Sequence, residues 1–199
     1  KVEPIKENKD AIIVVVGCMS QNKKEEVLKI DGVDIVLGNI GKSKIVEYID
    51  EYVKTKNKKL DIYDMMDTTF EPMILNNFNK TRAFVKIQDG CNNYCSYCII
   101  PYVRGNVRSK DSLSVIKEVK ELVSNGHKEI VLTGIHTGHY GSDLDNYNFS
   151  NLLIDLCKIE GLERLRISSI EITELNDKFI STLENTEREH TGINNLKVV

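Results

Sequence analysis

Three cysteines fall within eight residues of one another, in Asp89-Gly90-Cys91-Asn92-Asn93-Tyr94-Cys95-Ser96-Tyr97-Cys98. Thiolates are soft ligands that suit zinc or iron–sulfur clusters. A structural zinc site wants four ligands, and the nearest histidine, His127, is distant along the chain. The asparagines, serine and tyrosines between the thiols make a poor core segment, which argues against three packed cysteines that merely cluster. Three thiolates on a four-iron cluster leave one iron without a protein ligand, a position open to a small chelating cofactor. The spacing alone leaves zinc as the alternative.

Other residues carry weaker signals. Cys18, in Gly17-Cys18-Met19-Ser20-Gln21, follows the apolar run Ala11–Val16. That is the C-terminal end of an expected parallel strand, where α/β folds place their sites, although taken alone a single cysteine there reads first as structural. His136 and His139 share a glycine-containing loop; they are tempting as metal ligands but read as solvent-facing loop side chains. Ser168 and Ser169 read as caps of the next helix. Cys157 lies on an apolar helix face and reads as core. Glu25-Glu26 and Glu118/Glu121 read as solvated helix faces.

The elements that must position these residues alternate strand and helix throughout. Strands are expected at 11–16, 34–37, 83–88, 129–133 and 164–169, and helices at 22–29, around Ile45–Val53, and at 112–124, 151–159 and 176–183. Gly126 is placed to terminate the third helix. Three successive βα units after residue 78 imply a parallel sheet with right-handed crossovers. Net charge is −3, so nothing global points to nucleic acid, although Tyr102–Lys110 carries Arg104, Arg108 and Lys110 with no acid. The longest apolar run is far too short to cross a bilayer, so no membrane partner is expected. Five cysteines, an odd number, with no secretory signal fit a reducing cytoplasm. Lys1 is not a natural start, so the chain is expected to begin inside a longer protein.

The Cys91–Cys98 loop, following a strand and with the aromatic Tyr97 before its last cysteine, resembles the signature of radical S-adenosylmethionine enzymes. The wider strings Ala83–Cys91 and Cys98–Gly105 resemble the methylthiotransferases. Gln88-Asp89-Gly90 and Gly134-Ile135-His136 are more similar to the tRNA threonylcarbamoyladenosine (t6A) branch than to the isopentenyladenosine branch. The resemblance implies the C-terminal part of an α/β auxiliary-cluster domain over 1–78. It implies the first half of a parallel (β/α) radical SAM barrel over 79–185, and it leaves 186–199 as an atypical tail.

It further implies a [4Fe–4S] cluster on Cys91, Cys95 and Cys98 that binds S-adenosylmethionine and cleaves it to a 5′-deoxyadenosyl radical. A second, auxiliary [4Fe–4S] cluster would take Cys18 as the third of three cysteines, the other two lying upstream of Lys1. Tyr97, Thr133, Gly134, Ser168 and Glu171 would contact the cofactor, in a pocket where the loops after Gln88, Thr133 and Ser169 converge. The activity implied is conversion of t6A at position 37 of tRNA to its methylthio derivative, with an electron-donor protein as a second partner.

Two departures stand out. Asn106 replaces a common second arginine, and the family's continuation into further barrel units and an RNA-binding β-domain is missing after about Asn185. The chain alone is therefore expected not to turn over. The alternatives are isopentenyladenosine in tRNA or a ribosomal protein as acceptor, and, from another class, a non-catalytic zinc- or RNA-binding module.

Overall fold

The structure, a computed structural model, describes residues 8, 10–65, 69–71, 82–168, 170–189 and 197–198, with backbone alone for 185–189 and 197–198. The expected boundary near residue 78 and Ser169 lie outside the described residues. The chain divides into two units. Lys1–Glu71 groups with Asn93–Asn106, and Pro72–Asn92 groups with Val107–Val199. The segment bearing Cys95 and Cys98 thus groups with the N-terminal unit, whereas the sequence pattern keeps the whole cysteine loop in the second domain.

In the first unit three short strands, β1 (Val14–Val16), β2 (Ile35–Leu37) and β3 (Lys59–Asp61), pair in parallel in the order β1-β2-β3. The central strand is buried on both faces, as its unbroken apolar run requires. Val36 joins Val27 and Val33 on one face, and Ile35 and Leu37 join Tyr48 on the other. Helices α1 (Cys18–Lys23), α2 (Glu25–Leu28), α3 (Ile45–Thr55) and α4 (Ile100–Arg104) complete the unit. The helix expected at 22–29 is broken in two at Lys24, whose φ is 36°, and it begins earlier, at Cys18. Strand β3 falls where the lysine-rich sequence offers no clear period.

In the second unit β4 (Arg82–Lys86), β7 (Glu129–Thr133), β8 (Arg164–Ile167) and β9 (Lys197–Val198) form an all-parallel sheet in that order. Helices α5 (Ser112–Ser124), α6 (Phe149–Cys157) and α7 (Asp177–Glu189) follow β4, β7 and β8 in the chain. An antiparallel ribbon of β5 (Gln88–Asp89) and β6 (Arg108–Ser109) closes the base of the cysteine loop. The helix starts are locally encoded. The Asp111 carboxylate accepts from the Ser114 N–H at 2.9 Å, and Asn148 and Asn151 bond reciprocally as a capping box. Val85, Leu122, Ile130, Leu132, Leu152, Leu156 and Leu165 fill the core, and Cys157 is buried among them.

One expectation is corrected. Glu118 is not a solvated side chain: it is buried and ion-paired with buried Lys110, so each charge compensates the other. Past residue 185, α7 runs to Glu189, and Lys197–Val198 adds a fourth parallel strand beside β8. Two residues are too few to display any period. Among the described residues no helix is long and apolar enough to cross a membrane.

Register across the sheet is pinned at one end by charge. Glu129 lies opposite Arg82 on β4 and Arg164 on β8. Its carboxylate meets Arg164 at 3.1 Å, Arg166 at 3.3 Å and Arg82 at 3.8 Å. Burial pushes this carboxyl up, but the bonds from Arg166 and Arg164, with Arg82 beside them, more than offset that and hold it below its ordinary 4.5. Because the folded value is depressed, the stabilisation is present above about pH 4.5 and is lost as pH falls through the folded value. Glu129→Gln should lower the urea midpoint at pH 7 and flatten its decline in acid. An unchanged acid profile would show that the arginines do not act through this carboxylate.

Candidate functional site

The cysteine loop leaves the second unit through a buried amide. Gln88 is fully buried at the end of β4, in the ribbon strand β5. Its Nε2 donates to the carbonyls of Asp89 at 2.9 Å and Gly90 at 2.6 Å, and its Oε1 accepts from the His136 N–H at 2.9 Å. Gly134 is glycine because of this amide: a Cβ there would stand 2.8 Å from Gln88 Oε1 and 3.1 Å from Thr137 Cγ2. Asp89 is buried too, accepting from Lys86 Nζ at 2.6 Å and from the Gly90 N–H at 2.9 Å, with Arg108 at 3.8 Å. Beyond the half-buried Cys91, Asn92 Oδ1 accepts the Val107 N–H at 3.0 Å. Entry and exit of the loop are therefore tied together by side chains as well as by the ribbon.

Within the first unit, Tyr94 takes a left-handed backbone (φ 45°) and packs edge-on against Tyr102, with ring centroids 5.8 Å apart. Cys95 is exposed and Cys98 half-buried, and the Cys98 N–H donates to the Cys95 carbonyl at 2.9 Å. Tyr97 is 91% exposed. The same unit holds Cys18 at the start of α1. The Arg104 Nε–H donates to its sulfur at 3.3 Å and the Asn39 Nδ2–H at 3.5 Å. Asn39 also donates to the Val103 carbonyl at 2.7 Å, which ties the β2 loop to α4. Sequence alone does not mark Arg104 and Asn39 as partners of Cys18, because they lie 86 and 21 residues from it. The one signal available is that Arg104 sits in a run of cations with no acid.

The donor set fits an iron–sulfur cluster. Cys18, Cys91, Cys95 and Cys98 are free of disulfides and none is buried. Cys91, Cys95 and Cys98 sit on polar loop backbone, so they can adapt to a cofactor. Cys157 is the contrast, since burial in the core pushes its thiol up to about 11.

The remaining candidates line the C-terminal rim of the second sheet. The Thr133 hydroxyl donates to the Val85 carbonyl at 3.3 Å. Ser168 is exposed, and its N–H donates to the Leu132 carbonyl at 3.1 Å. Ser168 does not cap the next helix, because Asn176 caps α7 by accepting the Phe179 N–H at 2.9 Å. Glu171 caps a 3-10 turn, Ile172–Glu174. A cavity of about 300 Å³ opens at this rim, lined by His139, Ser142, Glu174, Asn176, Lys178 and Phe179 among others. Its lining takes in none of the five residues that the resemblance assigns to the cofactor. His136 is not solvent-facing: it is buried against Glu174, and His139 stacks on it with ring centroids 4.0 Å apart. Burial, with His136 adding to it, pushes the His139 imidazole below its ordinary value, against the opposing pull of Glu174 and Glu171.

Residues 85–191 match the family model of the radical SAM superfamily. The chain is 44% identical over 187 residues to a threonylcarbamoyladenosine tRNA methylthiotransferase of Bacillus subtilis, covering 92% of this chain and 42% of that protein. It is 37% identical over 185 residues to the protein of that name in Aquifex aeolicus (91% and 44% covered). It is 39% identical over 187 residues to a tRNA-2-methylthio-N(6)-dimethylallyladenosine synthase of Clostridium novyi (92% and 41% covered). The chain thus spans about two-fifths of the length of the curated relatives it matches.

Two outcomes follow from this geometry. Gln88→Leu keeps the volume but strips partners from the His136 N–H and two carbonyls, and should cost about 2–4 kcal/mol in urea unfolding. A loss under about 0.5 kcal/mol would mean the amide is not the anchor of the loop. Iodoacetamide at pH 8, followed by peptide mass spectrometry, should label exposed Cys95 while Cys157 stays protected in the folded chain. Equal labelling of the two would overturn the contrast between loop and core thiols.

Proposed function

Because the chain belongs to the radical SAM superfamily, whose cofactors are a [4Fe–4S] cluster and S-adenosylmethionine, we propose that it is the central part of a tRNA methylthiotransferase. In this reading Cys91, Cys95 and Cys98 hold the cluster. When bound, the cluster supplies the single electron that cleaves S-adenosylmethionine. Tyr97, Thr133, Gly134, Ser168 and Glu171 are the proposed contacts of the cofactor. Thr133 and Gly134 stand at the C-terminal end of β7, the rim at which parallel α/β folds bind ligands.

The observation that carries the reading beyond the superfamily is Cys18. Radical chemistry at the first cluster has no use for a fourth thiol. Yet Cys18 is held at the C-terminal end of β1 by a guanidinium and an amide, in the same unit as Cys95 and Cys98. That is the placement expected of a ligand to a second, sulfur-supplying cluster, with Arg104 and Asn39 orienting the sulfur. The proposed domains are an auxiliary-cluster domain over 1–78, the first βα units of a radical SAM barrel over 79–185, and the segment 186–199.

The proposed acceptor is N6-threonylcarbamoyladenosine at position 37 of tRNA in the cytoplasm, with an electron-donor protein as the other partner. Two relatives named for threonylcarbamoyladenosine support it, the first at 44% identity. The second reading, N6-isopentenyladenosine, rests on the dimethylallyladenosine synthase at 39%.

The chain by itself is proposed not to turn over, so the test reconstitutes the whole methylthiotransferase of which it is the proposed central part, anaerobically with iron and sulfide, and supplies reductant, S-adenosylmethionine and tRNA carrying either adenosine. Digested nucleosides are then read by mass spectrometry. Cys95→Ala should abolish both S-adenosylmethionine cleavage and methylthiolation. Cys18→Ala should keep cleavage and reduce methylthiolation at least about tenfold. Cys157→Ala should keep both. Methylthiolation unaltered in Cys18→Ala would refute the two-cluster reading.

A further inference from the structure

We propose that His136, His139 and Glu174 form a binding site for a divalent transition-metal ion of the zinc class, from a ligand set that contains no thiol. Among the described residues, one set of three potential ligands has its donor atoms all within 4.8 Å of one another, and it is this one.

Local backbone brings the three together. His136 precedes and His139 ends one 3-10 turn, closed by the His139 N–H donating to the His136 carbonyl at 3.0 Å. With three residues per turn, positions i and i+3 eclipse, so the two imidazoles stack with an interplanar angle of 28°. Glu174 ends the 3-10 turn in the loop after β8. His139 Nε2 lies 3.3 Å from Glu174 Oε1, and His136 Nε2 faces the same oxygen. Two ligands on a tetrahedral ion with bonds of about 2.1 Å stand about 3.4 Å apart.

The surroundings hold these groups where a metal would need them. Glu174 Oε2 accepts the Glu171 N–H at 3.1 Å, leaving Oε1 turned to the rings. Gly138 makes room for that carboxylate, since a Cβ there would stand 1.9 Å from Oε2. His136 is anchored through its own N–H to Gln88. Such outer bonds set ligand orientation in metal sites.

A simple ion pair accounts for one ring. The second ring, stacked on the first and aimed at the same oxygen, gains little from a single shared proton but serves as a second ligand to a shared ion. Two imidazoles and a carboxylate are a familiar set for zinc, iron(II), cobalt and nickel. His139 and Glu174 also line the 300 Å³ cavity, so a fourth coordination position would face space for water or a small anionic ligand. The proposal does not rest on the iron–sulfur reading.

The test titrates Zn²⁺ into the full chain carrying Cys91→Ser, Cys95→Ser and Cys98→Ser, so that the loop thiolates do not compete. Imidazole ¹⁵N spectra report each histidine. One equivalent should move the Nε2 signals of His136 and His139 and leave His127 unmoved. His139→Ala, at a partly exposed position, and Glu174→Gln should each weaken binding at least about tenfold with the circular dichroism unchanged. Unmoved His136 and His139 signals at saturating zinc, or affinity unaltered in both variants, would overturn the site and leave an ion pair.

Discussion

The Gln88 amide is the constraint on which the candidate site depends. A parallel sheet delivers its loops to one rim but does not fix them, because no ladder partner continues past the strand ends. Gln88 supplies that fixation from inside. One side chain takes two carbonyls of the cysteine loop's first turn and the N–H of His136 in the loop after β7. Buried polar atoms are costly unless paired, so an amide with these bonds made sets both loops together. Gly134 exists to admit it. The cysteine loop's entry and the histidine turn are therefore not independent decorations of the second unit, since moving one strips partners from the other.

The same economy appears at the two ends of β7. At its first residue Glu129 gathers three arginines from neighbouring strands, which sets register. Beyond its last residue the chain places Gly134 and two histidines, with the Gln88 amide of β5 bonded to the first of them, in geometry that register alone does not need. Stability devices sit at the N-terminal edge and chemistry-bearing side chains at the C-terminal rim, the division that parallel α/β folds generally show.

Much of this is legible in the sequence, unevenly and for physical reasons. Residue type and spacing alone mark Cys91, Cys95 and Cys98, since thiols clustered amid polar residues do not serve as core packing. The strands β2 and β7 are legible as apolar runs, β4 as an apolar centre flanked by charge, and β8 as the alternation of arginine with leucine and isoleucine. The strands β3, β5, β6 and β9 are not, being two or three residues long and made by pairing rather than by pattern. Glu118 misleads because a helix-face carboxylate reads as solvated until its buried lysine partner, eight residues earlier in the short connection between β6 and α5, is known. His136 and His139 read as loop side chains because nothing in the sequence announces a 3-10 turn, nor that a carboxylate from the next loop faces it.

The basic run Arg104–Lys110 shows most directly how structure reassigns charge. In sequence it is a cationic stretch with no acid, the simplest local candidate for phosphate contact. In the fold Arg104 donates to Cys18, Arg108 is buried beside Asp89, and Lys110 is buried against Glu118. Phosphate binding draws its energy from cations that neutralise the backbone and release counterions. A guanidinium and an ammonium already inside the protein and paired with carboxylates can do neither without abandoning their partners, at the cost of leaving a buried charge uncompensated. Of the three, Arg104 holds Cys18, Arg108 stands beside Asp89 at the entry of the cysteine loop, and Lys110 is tied to Glu118 on α5. With a net charge of −3 over the whole chain, attraction for a nucleic acid has to come from cations other than Arg108 and Lys110.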